Sequence, residues 1–144
     1  MNPFRVECID HVVFRVRDLE RSIAFYAGAL GCSVVRTRED LGLVHLRAGW
    51  SMIDLISVDG PLGSAGGAAP QDHGKNVDHL CLRIEPFNET DLIAHLNAWG
   101  APPRAKAAQN FGAEGQGLSL YFSDPDGNVI ELKGPPSPAA ASAA

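Results

Sequence analysis

Two histidines stand 68 positions apart, at 11 and 79, inside nearly the same phrase. His11 lies in IDHVVFRV, residues 9–16, and His79 in VDHLCLRI, residues 77–84. Both phrases carry Asp, His and Arg at matching places, and most other positions exchange one apolar residue for another. Two acidic residues are doubled in the same way: Asp54 sits in MIDLI and Glu131 in VIELK. Imidazole nitrogens and carboxylate oxygens are ligands of first-row divalent ions, and a set with open positions can do chemistry on what binds there. The residue types therefore point to a metal site built from His11, Asp54, His79 and Glu131.

Such a site needs elements that aim the four side chains at one place. The phrases around both histidines have strand character. Successive strand residues face opposite sides. Val12, Phe14 and Val16 share one face, and Ile9, His11, Val13 and Arg15 the other; Leu80, Leu82 and Ile84 alternate with His79, Cys81 and Arg83 in the same way. The purely apolar set belongs against a helix, which turns the histidines to the opposite side. Ile53 and Leu55, like Ile130 and Leu132, turn Asp54 and Glu131 to that side too.

The intervening segments supply the rest of two units. Residues 17–31 predict a helix with Asp18 as N-cap, Arg21 where a capping box would carry Glu, and Gly31 at the stop. Leu19, Ile23, Tyr26 and Leu30 are its expected buried face. Strands are expected at CSVVRTR, LGLVHLR and SMIDLISV. A Gly-, Ala- and Pro-rich stretch, residues 59–76, predicts a flexible connection. The order then restarts with a strand over 77–84, a helix over 88–100 capped by Asn88 or Thr90, and strands at PRAKAA, GLSLYFSD and NVIELKG. The fold class is α+β: two tandem βαβββ units, about 8–58 and 77–134, whose curved mixed sheets form a shared metal-binding cleft. They make one domain of residues 1–134, and the tail 135–144, PPSPAAASAA, has little to bury and is expected to be disordered.

The 144 residues suffice for one well-cored domain. A net charge of −5 speaks against nucleic acid. No apolar run approaches the roughly 20 residues of a membrane span, and MNPFRVECID has no apolar signal core, so neither membrane nor export is expected. Cys8, Cys32 and Cys81 are odd in number and lack CxxC spacing, which fits free thiols in a reducing cytoplasm.

Over about residues 8 to 134 the sequence resembles the vicinal oxygen chelate superfamily, through IDHVVFRVRDLERSIAFYAGALG, the restart at VDHLCLRI, and LYFSDPDGNVIELKG. That superfamily includes glyoxalase I, methylmalonyl-CoA epimerase, type I extradiol ring-cleavage dioxygenases, fosfomycin-resistance thiol transferases and bleomycin-binding proteins. The text is most similar to small glyoxalase-domain proteins. The resemblance implies one divalent ion (Zn, Ni, Co, Mn or Fe) held by His11, Asp54, His79 and Glu131. At position 54 glyoxalase-type members usually carry Glu or Gln. Asp is one methylene shorter, so a triad of His11, His79 and Glu131, as in the ring-cleavage enzymes, stands beside the four-ligand set.

The family theme is chelation of adjacent substrate oxygens by a Lewis-acid ion. The leading expectation is a metal-dependent lyase or isomerase acting on a small oxygenated metabolite. Glu131 is the first candidate for its base and Asp54 the second, each competing with plain ligation. An iron(II) extradiol dioxygenase is the alternative. It would use Tyr121, ten positions before Glu131, in a placement similar to the acid-base tyrosine of those enzymes. His45 holds the corresponding place in the first unit. Arg15 and Arg83 are candidates for an anionic substrate at the cleft rim, with a structural role competing. Fosfomycin-type thiol transfer is disfavoured, since ELKGPPSPAAASAA offers only Lys133 as a cation. Gly112 to Gly117 could form a lid. A third reading is a small-molecule binding or sequestering protein without turnover. The family also implies a homodimer.

Overall fold

Alternation fixes the first strand. Val12, Phe14 and Val16 point inward while His11 and Val13 are exposed, and the ladder runs over β1 (His11–Val16). Asp18 caps α1 (Leu19–Gly28), its side chain accepting from the Arg21 N–H at 2.9 Å. β2 (Ser33–Arg38), β3 (Leu43–Ala48) and β4 (Ser51–Ser57) complete the first unit, with a 3-10 turn at Glu39–Leu41 between β2 and β3. The sheet order is β1-β4-β3-β2, with β1 parallel to β4 and the other neighbours antiparallel. The computed structural model describes residues 2–138 and divides into two units between residues 71 and 72.

The core of the first unit differs from the sequence expectation at the helix. The buried stripe of α1 centres on Ser22, Phe25 and Tyr26, with Leu19, Ile23 and Leu30 at its margins. Phe25 and Tyr26 pack edge to face with centroids 5.8 Å apart, and these large rings take the centre of the helix–sheet contact. Val44, Leu46, Ile53 and Leu55 meet them from β3 and β4.

The second unit repeats the plan with β5 (Leu80–Arg83), α2 (Glu89–Ala98), β6 (Ala108–Gly112), β7 (Gly115–Ser123) and β8 (Val129–Lys133), in the order β5-β8-β7-β6. Asn88 is the N-cap of α2, accepting from the Asp91 N–H at 3.1 Å. Its core is Leu96, Ala101, Leu120, Phe122, Ile130 and Leu132. The DPDGN turn is held by Asp124, whose Oδ1 accepts from Asp126 N–H at 2.9 Å and Asn128 N–H at 2.7 Å. Gly127 supplies the positive φ of 80° at its end. β6 begins at Ala108, later than PRAKAA suggests. Pro103 has no N–H for a ladder, and the Ala107 N–H goes to Glu89 Oε1 at 2.7 Å instead of to a neighbouring strand.

Three further expectations are revised. Residues 112–117, offered above as a lid, form the tip of the β6–β7 hairpin, with Gly112 paired to Gly115. Part of the connection is tied down: the Arg15 guanidinium donates to the carbonyls of Gly63 (2.9 Å), Gly67 (2.6 Å) and Ala68 (2.9 Å) around a 3-10 turn at Gly63–Gly66. Ser137, placed in the tail by the sequence, donates its N–H to Gln116 O at 2.7 Å, while residues 139–144 lie outside the described residues. No helix among the described residues is long and apolar enough to cross a membrane.

Gly63 is required by close approach, since a Cβ there would stand 1.9 Å from Ser57 O. Gly63→Ala is expected to lower unfolding free energy by about 1–3 kcal/mol. Urea denaturation checks this; an unchanged midpoint would mean that the turn gives way freely.

Candidate functional site

In the second unit one row of paired residues crosses the sheet. Cys81, Glu131 and Tyr121 are partners across β5, β8 and β7, so their side chains share a face. Ile130 and Leu132 face the core on either side of Glu131 in sequence. Glu131 itself is only 5% exposed, and a buried carboxylate needs a partner. It has one in His79, whose Nε2 stands 3.1 Å from Glu131 Oε2. The other ring nitrogen, Nδ1, stands 2.7 Å from Asp78 Oδ2. The Tyr121 ring lies edge-on to His79, centroids 5.5 Å apart, and its hydroxyl accepts from Asn110 Nδ2 at 3.2 Å. Burial raises the Tyr121 phenol above its ordinary value, and the charge and hydrogen bonding of Glu131 add to this. The neighbouring Cys81 thiol is pushed up to about 11, first by desolvation and then by Glu131.

The first unit carries the same row with different occupants. Val13, Asp54 and His45 are partners across β1, β4 and β3. Asp54 is 5% exposed, and its Oδ2 stands 2.9 Å from His45 Nδ1. Its Oδ1 is buried without a hydrogen-bond partner among the described residues. His11 bonds through Nδ1 to Asp10 Oδ1 at 2.6 Å. That bond is the main reason its pKa lies above the usual value; Asp54 contributes through charge alone.

Two pairs thus form: His79 with Glu131, and His45 with Asp54. Position 45 matches position 121 by strand register, since each faces the closing-strand carboxylate. Arg15 spends its guanidinium on the three connection carbonyls. Arg83 is paired with Glu114 (2.7 Å) and Glu85 (3.0 Å). The residues that sequence reading missed are Asp10 and Asp78. Each precedes a histidine and holds its Nδ1, and the repeated Asp-His dipeptide was the available signal. A carboxylate on Nδ1 fixes the tautomer and turns Nε2 outward as an electron-pair donor, which is how metal-ligating histidines are commonly oriented.

Among the described residues no group of three or more His, Cys, Asp or Glu side chains is gathered as a metal cage. The donors nonetheless fit a cation in two respects. A neutral imidazole has one N–H, yet both nitrogens of His79 face carboxylates, so one contact calls for a proton or a metal ion. Its 3.1 Å contact to Glu131 is near the about 3.3 Å that separates two donors on a tetrahedral zinc. The orphaned Oδ1 of Asp54 is likewise a buried acceptor in want of a positive partner. Beside the His79–Glu131 pair, the second unit hollows into a cavity of about 380 Å³ whose lining includes Arg83, Phe111, Glu114 and Lys133.

Paired βαβββ units, each with a carboxylate on its closing strand and a histidine near its first, define the class. The chain belongs to the Glyoxalase/Bleomycin resistance protein/Dioxygenase superfamily, whose model matches residues 8–132. It is 28% identical over 127 residues to virulence protein STM3117 of Salmonella typhimurium, covering 88% of this chain and 83% of that protein. The crystal structure of that protein matches at TM-score 0.73 and 25% identity, covering 92% of this chain and 99% of that one. A glyoxalase domain-containing protein, RDO1, of Mycosarcoma maydis is 32% identical over 127 residues, 88% of this chain and 68% of that protein. The lactoylglutathione lyase of Salmonella typhimurium is 29% identical over 126 residues, 85% of this chain and 88% of that enzyme.

The environment of Cys81 gives a direct test of the buried Glu131 charge. With a thiol at about 11, only about 0.1% is thiolate at pH 8. Iodoacetamide is expected to modify Cys81 slowly in chelator-treated protein, and Glu131→Gln is expected to speed it several-fold. Peptide mass spectrometry over time reads this; equal rates in the two proteins would remove Glu131 as a cause.

Proposed function

We propose that the chain is a metal-dependent enzyme of the glyoxalase type, a lyase or isomerase of a small oxygenated metabolite bound through adjacent oxygens. The observation that carries this is the His79–Glu131 pair at 3.1 Å, with Asp78 bracing the far side of the ring. The reading assigns one divalent ion, of Zn, Ni, Co, Mn or Fe, to His11, His79 and Glu131, with Asp54 as fourth ligand. The orphaned oxygen of Asp54 supports its inclusion. The likeness to lactoylglutathione lyase supports the lyase reading.

When bound, such an ion supplies Lewis acidity to adjacent substrate oxygens. The chain's own residues supply the rest. Glu131, 5% exposed and on the same face as Tyr121 and Cys81, is the carboxylate placed to take a proton from substrate carbon. His79 stands against one oxygen of Glu131 and fixes how the carboxylate faces the site. Tyr121 offers a neutral phenol at the same face. His45 orients Asp54, so that Asp54 serves as ligand or as a second base. The protein is taken to work in the cytoplasm as a homodimer on a small-molecule substrate, with no nucleic-acid or membrane partner.

A second reading, iron(II) ring cleavage, is favoured by the position of Tyr121, paired with Glu131 in register and edge-on to His79. Turnover separates the readings. Protein loaded with nickel, zinc or cobalt is expected to convert an aldehyde–thiol hemithioacetal. Glu131→Gln is expected to lower kcat by about 10²–10⁴-fold, and Tyr121→Phe by far less. Oxygen uptake on catechols by the iron form, abolished by Tyr121→Phe, would replace the lyase by the dioxygenase. Ligand binding without turnover of either class would leave a sequestering protein.

A further inference from the structure

We propose that the cavity of the second unit takes a monoanionic, carboxylate-bearing ligand whose charged end is held by Lys133. Three of the charged side chains lining the cavity face a partner. Arg83 is bound to Glu114 at 2.7 Å, and Glu131 faces His79 at 3.1 Å. Lys133 is left over. It closes β8, two residues beyond Glu131 and on the same face, and it is only 6% exposed. Its ammonium donates to the carbonyls of Asn110 and Gly117, and no carboxylate pairs with it among the described residues. An ammonium has three N–H donors, so one is left for a ligand. A buried cation with carbonyl partners alone is poorly compensated, and an anion reaching it restores the lost solvation.

The hairpin around it is built to admit the lysine. A Cβ at Gly112 would stand 2.7 Å from Lys133 Cε, and one at Gly117 would stand 3.1 Å from Nζ. These glycines let the side chain lie under the β6–β7 tip, beside the cavity that Lys133 helps to line. Phe111, 80% exposed, stands in the same lining and offers an apolar flank. One ammonium without a carboxylate partner among the described residues suits a monoanion. A dianionic phosphonate would meet repulsion from Glu114 and Glu131. The ligand chemistry is thus a carboxylate with a compact apolar body. This inference uses residues of one unit and needs no metal; it rests on the proposed activity only in taking that ligand to be the substrate.

The test titrates full-length protein, before and after chelation, with benzoate, benzamide and phenylphosphonate, followed by amide NMR shifts and calorimetry. Benzoate is expected to bind at least ten-fold more tightly than benzamide or phenylphosphonate, with shifts at the β6–β7 hairpin and β8. Lys133→Met is expected to weaken benzoate at least ten-fold while leaving metal content unchanged. Equal binding of benzoate and benzamide, tighter phenylphosphonate, or unaltered benzoate affinity in a folded Lys133→Met protein would overturn the proposal. The wild-type comparison decides it even if that variant fails to fold. Benzoate binding in a protein that takes up no metal would sink the enzyme reading and leave this one standing.

Discussion

The structure turns on a carboxylate buried in the middle of each sheet. Asp54 and Glu131 lie on β4 and β8 between aliphatic residues that face the core, and strand alternation forces them to the other face. Taking a carboxylate out of water is costly unless a donor or cation meets it. In the second unit the ring that faces the carboxylate is His79, and in the first it is His45. The rings, the tyrosine and the raised thiol of Cys81 are arranged around this requirement.

The two units answer it unequally. Glu131 reaches the histidine that begins its unit, whereas Asp54, shorter by one methylene, pairs across β3 with His45 and keeps one oxygen without a partner. His11 senses Asp54 through charge but bonds to Asp10. The departure from symmetry that the sequence displays at positions 54 and 131 is therefore a difference in which ring each carboxylate holds. Family membership covers residues 8–132, so both halves of this asymmetry lie within the shared fold.

Much of this was legible because duplication doubles every signal. A lone His or Asp on a strand says little, but His11 with His79 and Asp54 with Glu131 make alternation a statement about one face. The caps at Asp18 and Asn88 were visible because short polar side chains at a helix start have a specific job. What stayed hidden depended on contacts distant in sequence. The stripe of α1 is set by how Phe25 and Tyr26 fit the sheet, which apolar spacing alone does not rank. The glycine-rich stretch read as flexible because composition does not reveal Arg15 reaching 48 to 53 positions along the chain to its carbonyls. The burial of Lys133 under the hairpin likewise depends on residues distant in sequence.

The central claim is that the buried carboxylates and the histidines braced by Asp10 and Asp78 are there to hold a metal ion. Elemental analysis of freshly purified full-length protein, with no ion added, tests this most directly. The account predicts about one divalent ion per chain, lost in His79→Ala and in Glu131→Gln and weakened in Asp54→Asn. Protein that carries no ion and takes up none on dialysis, or a His79→Ala variant that keeps its full complement, would contradict it.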